Sequence, residues 1–263
     1  MDAFLASLAF LTRIPVPQRN SSYDPGVFSR SIIFFPVVGG IIGLVNGGLY
    51  ILLGAVFPIH VMAVLIIVVP IFMSGGIHFD GLLDTCDGMF SGRSRERSLE
   101  IMRDSRVGSM GVIAGIVDIL LRYSILISLP GGILPVLLIA QPVVGRWLIS
   151  VALHLFPYAR KEGGLGQGFN QDKKRLNIIL STVLALLMVY FISGLGGLGI
   201  VGLAGIASLL IALWAAHRLG GLTGDVYGAL NEVAEIIFIL LWLAVSQNLS
   251  LGIDGPFSCW VRF

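Results

Sequence analysis

The chain has 263 residues, 56% of them apolar and 12% charged, with a mean hydropathy of +0.93 and a net charge of +2. An ordinary soluble domain is about half apolar and about a quarter charged, so a water-soluble globule, a disordered chain and a fibre are all excluded. Three lysines and a near-neutral balance exclude a nucleic-acid partner, and two cysteines make no disulfide framework. The composition predicts an all-α, polytopic membrane helix bundle in contact with the lipid bilayer.

Residues 4–11 predict a short helix at the membrane surface, and Pro15 and Pro17 a rigid exit from it. No basic n-region or small-residue cleavage site marks a signal peptide there. Asp, Glu, Lys and Arg are absent from Ser31–Phe79, Tyr123–Gly145 and Leu176–Ala216. A crossing takes about 20 apolar residues. Seven spans are predicted: 32–53, 59–79, 107–128, 133–154, 176–194, 199–217 and 231–247. Turns fall at Gly54–Pro58, Pro130-Gly-Gly and Gly194-Leu-Gly-Gly. Residues 1–247 then form a single membrane-embedded catalytic domain, and 248–263 a tail with no assigned role. Homo-oligomerisation is left open by the sequence.

Basic residues in short loops set orientation. With the N-terminus cytoplasmic, 14 of the 17 basic residues fall on the cytoplasmic side, and loops 54–58, 129–132 and 195–198 carry no charge. Cys86 and Cys259 lie on opposite sides and cannot pair. The sequons at Asn20 and Asn248 are read as chance matches.

The acids gather on the same face. Asp80, Asp84 and Asp87 end an apolar run at i, i+4, i+7, which is one face of a helix. No Lys or Arg lies between 31 and 92 to neutralise them. A solvated helix end is the plain alternative, but a hard divalent cation such as Mg²⁺ explains the stacking better, since it takes carboxylate oxygens and substrate phosphate together. Asp104 is a further candidate ligand. Arg103 and Arg106 beside it are candidate phosphate binders, with Gly108 and Gly111 permitting close backbone approach. Asp225, Glu232 and Glu235 form a second acidic segment after a glycine-rich run, with Thr223 as a polar neighbour. His78 adjoins the first cluster, with a substrate role and a polar helix end in balance. Inside spans, Asp118 and Arg122 are spaced to pair, and Arg146 has no acid nearby in sequence.

Two function classes compete on these grounds. A membrane phosphotransferase would use the acids for Mg²⁺, the arginines for phosphoryl oxygens and an alcohol as nucleophile. An ion-coupled transporter would place its acids near the midplane, at broken helices. Acids at one face beside basic loops favour the enzyme.

The chain resembles the cobalamin synthase family, also called adenosylcobinamide-GDP ribazoletransferase. The matching segments are Phe10-Leu-Thr-Arg-Ile-Pro-Val-Pro17, Phe35-Pro-Val-Val-Gly-Gly-Ile-Ile-Gly43 and Gly75-Gly-Ile-His-Phe-Asp-Gly-Leu-Leu-Asp-Thr-Cys-Asp-Gly88. Arg103-Asp-Ser-Arg-Val-Gly108 and Gly220-Gly-Leu-Thr-Gly-Asp-Val-Tyr-Gly-Ala229, running on to Glu232 and Glu235, complete the match. The resemblance implies a prokaryotic inner-membrane transferase with its site facing the cytoplasm. It implies Mg²⁺ as cofactor and adenosylcobinamide-GDP and α-ribazole, or its 5′-phosphate, as substrates. The products would be adenosylcobalamin, or its 5′-phosphate, and GMP. Asp80, Asp84, Asp87, Asp104, Asp225 and Glu232 are then the expected metal-binding and catalytic residues. Arg103, Arg106, His78, Thr223 and Glu235 are the expected substrate contacts. The aspartate segment is also similar to that of the CDP-alcohol phosphotransferases, whose pattern is Asp-x-x-Asp-Gly-x-x-Ala-Arg, but the Ala-Arg is missing after Asp84-x-x-Asp87-Gly88. Lipid head-group transfer is therefore the runner-up.

Overall fold

The computed structural model describes residues 2–17, 25–160 and 174–248, and among them no strand occurs. Arg19, Asn20, Lys161, Lys173, Cys259 and the tail beyond 248 lie outside the described residues. Helix α1 spans Asp2–Leu11, and α2 (Pro25–Ser31) runs through a 3-10 turn at Ile32–Phe34 into α3 (Phe35–Leu53). There follow α4 (Ile59–Ser74), α5 (Ile77–Met89), α6 (Arg95–Ile101), α7 (Ser109–Ser128) and α8 (Leu134–Leu155). The long α9 (Arg175–Leu219) and α10 (Gly224–Asn248) complete the bundle.

Five of these helices are long and apolar enough to cross a membrane, or six if the bent pair α4–α5 is one span. The 45-residue α9 would be about 68 Å long if straight, twice the hydrocarbon thickness. It is not straight. Gly194 breaks it with φ 68° and ψ −165°, a backbone state open essentially to glycine alone. A Cβ on Gly197 would touch Val189 Cγ1 at 3.3 Å, so the two halves fold back on each other. Length and composition thus give five crossings, or six, against the seven that the sequence predicts, the difference lying in the two halves of α9 and the 16-residue α4.

Two boundaries differ from those the sequence predicts. The second span does not run to Phe79. Gly75 and Gly76, at φ 66° and 75°, end α4 with the Gly76 N–H on the Ile71 carbonyl, and α5 leaves at 93°. The apolar run hides this corner because glycine scores as apolar while supplying the left-handed turn. The last helix starts at Gly224, not 231, so Asp225 lies in its first turn.

Helix α8 is the centre and is mostly buried, whereas much of α9 faces outward. Glycines 39, 43 and 47 on one face of α3 let it lie against α8. A Cβ on Gly39 would strike the Pro142 backbone and one on Gly43 the Ile139 carbonyl. Such small-residue contacts are how helices approach closely in lipid, where burial of apolar surface gives little preference for a neighbouring helix over the acyl chains. Leu44, Leu52, Ile116, Leu120 and Phe191 point outward, as a lipid-facing surface requires.

Candidate active site

Helix α5 does not continue through the bundle. It lies across the first turns of α7 and α10, and glycine permits the approach on both sides. A Cβ on Gly81 would come 2.6 Å from the Asp225 carbonyl, and one on Gly228 3.1 Å from the His78 backbone. This contact sets the α5 acids against the start of α10.

Asp80, Asp84 and Asp87 share one face of α5, as their spacing predicts. The Asp84 carboxyl is pushed up to about 7, first by burial and then by Asp80, Asp225 and Asp87, with Arg160 opposing. Four carboxylates thus crowd one place, with the Arg160 guanidinium among them. Asp87 also caps α7, accepting the Gly108 N–H at 2.6 Å and the Gly111 N–H at 2.8 Å. The space left by those glycines is filled by the Asp87 carboxylate itself.

Asp225 is held by Arg160 Nη2 at 2.6 Å and by the Thr223 hydroxyl at 3.2 Å, and Thr223 also accepts the Val226 N–H. A short strap places Arg160. Ala159 donates to the Leu222 carbonyl at 2.8 Å, Leu222 to the Pro157 carbonyl at 2.9 Å, and Arg95 donates to the Ala159 and Leu219 carbonyls. In the sequence alone Arg160 is only a topology signal. Nothing in its local sequence distinguishes it from Arg93 or Arg97, because its partner Asp225 is far along the chain.

Of the remaining predicted residues His78 lines the cleft with Asp80 and Asp225, and the others are elsewhere. Asp104 takes three bonds from Arg106, which hold its carboxyl down to about 2, and the Arg106 side chain is 87% exposed. Arg103 lines a groove with Arg95, Glu100 and Arg160. Glu232 and Glu235 face the bundle interior. Arg122 bonds Asp118 at 3.0 Å, Glu232 at 2.7 Å and Glu235 at 3.1 Å, while Arg146 pairs with the other Glu235 oxygen. The predicted Asp118–Arg122 pair is present, and Arg146 finds its acid on α10. His78 is buried, its Nδ1 3.4 Å from Arg146. This network joins α5, α7, α8 and α10, and its three carboxylates share two guanidiniums, because a charge with no partner inside the bundle is costly.

The cleft itself, of ≈ 160 Å³, has Asp80, Asp225 and Arg160 on its polar side and Phe10, Ile149 and Leu153 on its apolar side. It opens past Asp80 into a wider depression beside Arg13, and at Arg160 it meets the Arg95–Arg103 groove. The donors are of the kind a hard cation takes, since Asp80, Asp84 and Asp225 offer only carboxylate oxygen, and burial and then the acidic neighbours disfavour an ionised Asp84 with no cation beside it. Among the described residues no three His, Cys, Asp or Glu side chains converge into a metal-holding group.

Fold and site together define a polytopic membrane protein with a carboxylate-and-arginine cleft at one end of its helices, the equipment of a phosphate-handling transferase. A sequence model of the cobalamin-5-phosphate synthase family matches residues 3–243, and the chain belongs to that family. It is 37% identical over 242 residues to an adenosylcobinamide-GDP ribazoletransferase of Desulfitobacterium hafniense strain Y51, covering 89% of this chain and 93% of that protein. It is 39% identical over 245 residues to the protein of that name in Clostridium botulinum strain Langeland, covering 92% and 98%. A Brevibacillus brevis protein, also so named, is 35% identical over 245 residues, covering 92% and 97%. No solved structure matches the chain.

Proposed function

We propose that the chain joins adenosylcobinamide-GDP to α-ribazole, or to α-ribazole 5′-phosphate, and releases GMP. Family membership supplies the substrates, and the crowding of Asp80, Asp84 and Asp225 around Arg160 carries the chemistry. A ribazole hydroxyl attacks the corrinoid-side phosphorus of the diphosphate. The new P–O bond forms as the P–O bond to GMP breaks, and the hydroxyl proton passes to a carboxylate of the cleft. Asp80, Asp84 and Asp225 are the residues that would hold Mg²⁺, whose charge would neutralise the diphosphate when bound. Thr223 orients Asp225, and Asp87 fixes α5 to the start of α7. The apolar wall of Phe10, Ile149 and Leu153 excludes water from one side of the cleft, which lowers competing hydrolysis. We further propose that this end of the bundle faces the cytoplasm of a prokaryotic inner membrane. The clustering of Arg13, Arg93, Arg95, Arg103 and Arg160 supports that orientation.

The test is GMP release from membranes carrying the protein. Release should require both adenosylcobinamide-GDP and α-ribazole or its phosphate, and a chelator should stop it. CMP released from a CDP-lipid, with no GMP from the corrinoid, would instead support head-group transfer. Solute uptake with neither product would support a transporter.

A further inference from the structure

The side chain of Arg160 is about nine-tenths buried, yet its guanidinium is only partly used. Nη2 bonds Asp225 at 2.6 Å and reaches the Met102 carbonyl at 3.5 Å, and the side chain also hydrogen-bonds Tyr158, while among the described residues the buried Nε has no hydrogen-bond partner. An unused buried donor is costly, so its place calls for an acceptor. The residue stands where two cavities meet, the cleft of Asp80 and Asp225 and the groove of Arg95 and Arg103. The strap bonds of Ala159 and Leu222 fix its backbone there. A planar fork with one edge on a carboxylate and a donor to spare is the geometry that takes a phosphoryl oxygen.

We propose that Arg160 binds the diphosphate of the nucleotide-activated substrate, and that Asp225 occupies it as an internal counter-ion until that diphosphate arrives. The exchange does two things at once. It gives the phosphate a preformed guanidinium, and it frees the Asp225 carboxylate, steadied by Thr223, for the incoming hydroxyl or cation. Asp225 thereby keeps Arg160 neutralised and in place in the empty cleft. This inference rests on the transferase reading only for the identity of the diphosphate.

The experiment measures binding of GDP, as the probe, to the full-length protein in detergent, alongside GMP release from the complete substrates. Arg160→Ala should weaken GDP binding about tenfold or more, and Arg160→Lys should lie between it and wild type, since lysine offers charge without the fork. With Mg²⁺ left out of the binding arm, Asp225→Asn removes only the competing anion, so GDP should bind at least as tightly, while turnover with Mg²⁺ falls. The Arg160→Ala, Asp225→Asn double variant should bind as weakly as Arg160→Ala alone. Wild-type affinity in Arg160→Ala, or its return in the double variant, would make Arg160 only a partner for Asp225 and overturn the proposal. If Arg160→Ala does not accumulate, weaker GDP binding by Asp225→Asn overturns it equally. Absence of GMP from the wild-type protein would refute the transferase reading, while the GDP arms would still decide the role of Arg160.

Discussion

At the scale of single residues, the acids divide by what surrounds them. Asp84 sits among other carboxylates with little to satisfy it, whereas Glu235 is gripped by Arg122 and Arg146. Asp84→Asn should therefore cut turnover by at least about 10²-fold, comparable to losing a strong electrostatic stabiliser, with the protein's membrane level unchanged. Activity assayed beside immunodetection of the membrane fraction checks this, and wild-type turnover would end its claim to a metal or catalytic role. Glu235→Gln should do the reverse and act first on stability. Breaking a buried ion pair from one side costs about 3–5 kcal/mol, so the thermal midpoint in detergent should drop markedly. A Glu235→Gln protein with unchanged midpoint and lost Mg²⁺ response would instead make that residue a metal ligand. The sequence distinguishes these roles poorly. Asp80, Asp84 and Asp87 are legible because their partners are on the same helix, and the Asp118–Arg122 pair for the same reason. Arg160 with Asp225, and Arg146 with Glu235, are long-range pairs, and local spacing is silent about them.

At the scale of elements, glycine does much of the positioning. Gly81→Ala would put a Cβ 2.6 Å from the Asp225 carbonyl, a backbone atom that cannot rotate away. The cost should be about 1–3 kcal/mol, with activity lost as α5 is pushed from α10. Gly48→Ala is the control, since no atom lies within 4 Å of its Cβ position. It should be neutral or raise the thermal midpoint, because alanine is the better helix former. Equal effects of the two substitutions would refute the close approach. The helices and the Gly194 turn are legible in the sequence because lipid imposes a length on every span. The right-angled corner at Gly75-Gly76 is not, since the apolar run continues past it. The Gly39, Gly43, Gly47 face does carry a readable four-residue spacing, and it marks the α3–α8 contact.

At the scale of the whole molecule, the arrangement makes a statement about sidedness. Single cysteines placed near Arg95 and near Lys174 should react with an impermeant thiol reagent only from the cytoplasmic side, and one near Gly196 only from outside. The reverse pattern would carry the cleft away from cytoplasmic nucleotides and contradict the proposed reaction. The interior charge network has a separate consequence, for biogenesis. Arg122 and Arg146 belong to α7 and α8, while two of their partners, Glu232 and Glu235, arrive on α10, which is synthesised last. At ~5–20 residues per second, α7 and α8 wait for several seconds with guanidiniums that their own helices do not fully compensate. Insertion of α10 thus closes this charge network. A chain truncated before Gly224 should be inserted but left open, and so be recognised by membrane quality control as an unfinished protein rather than stored as a stable fragment.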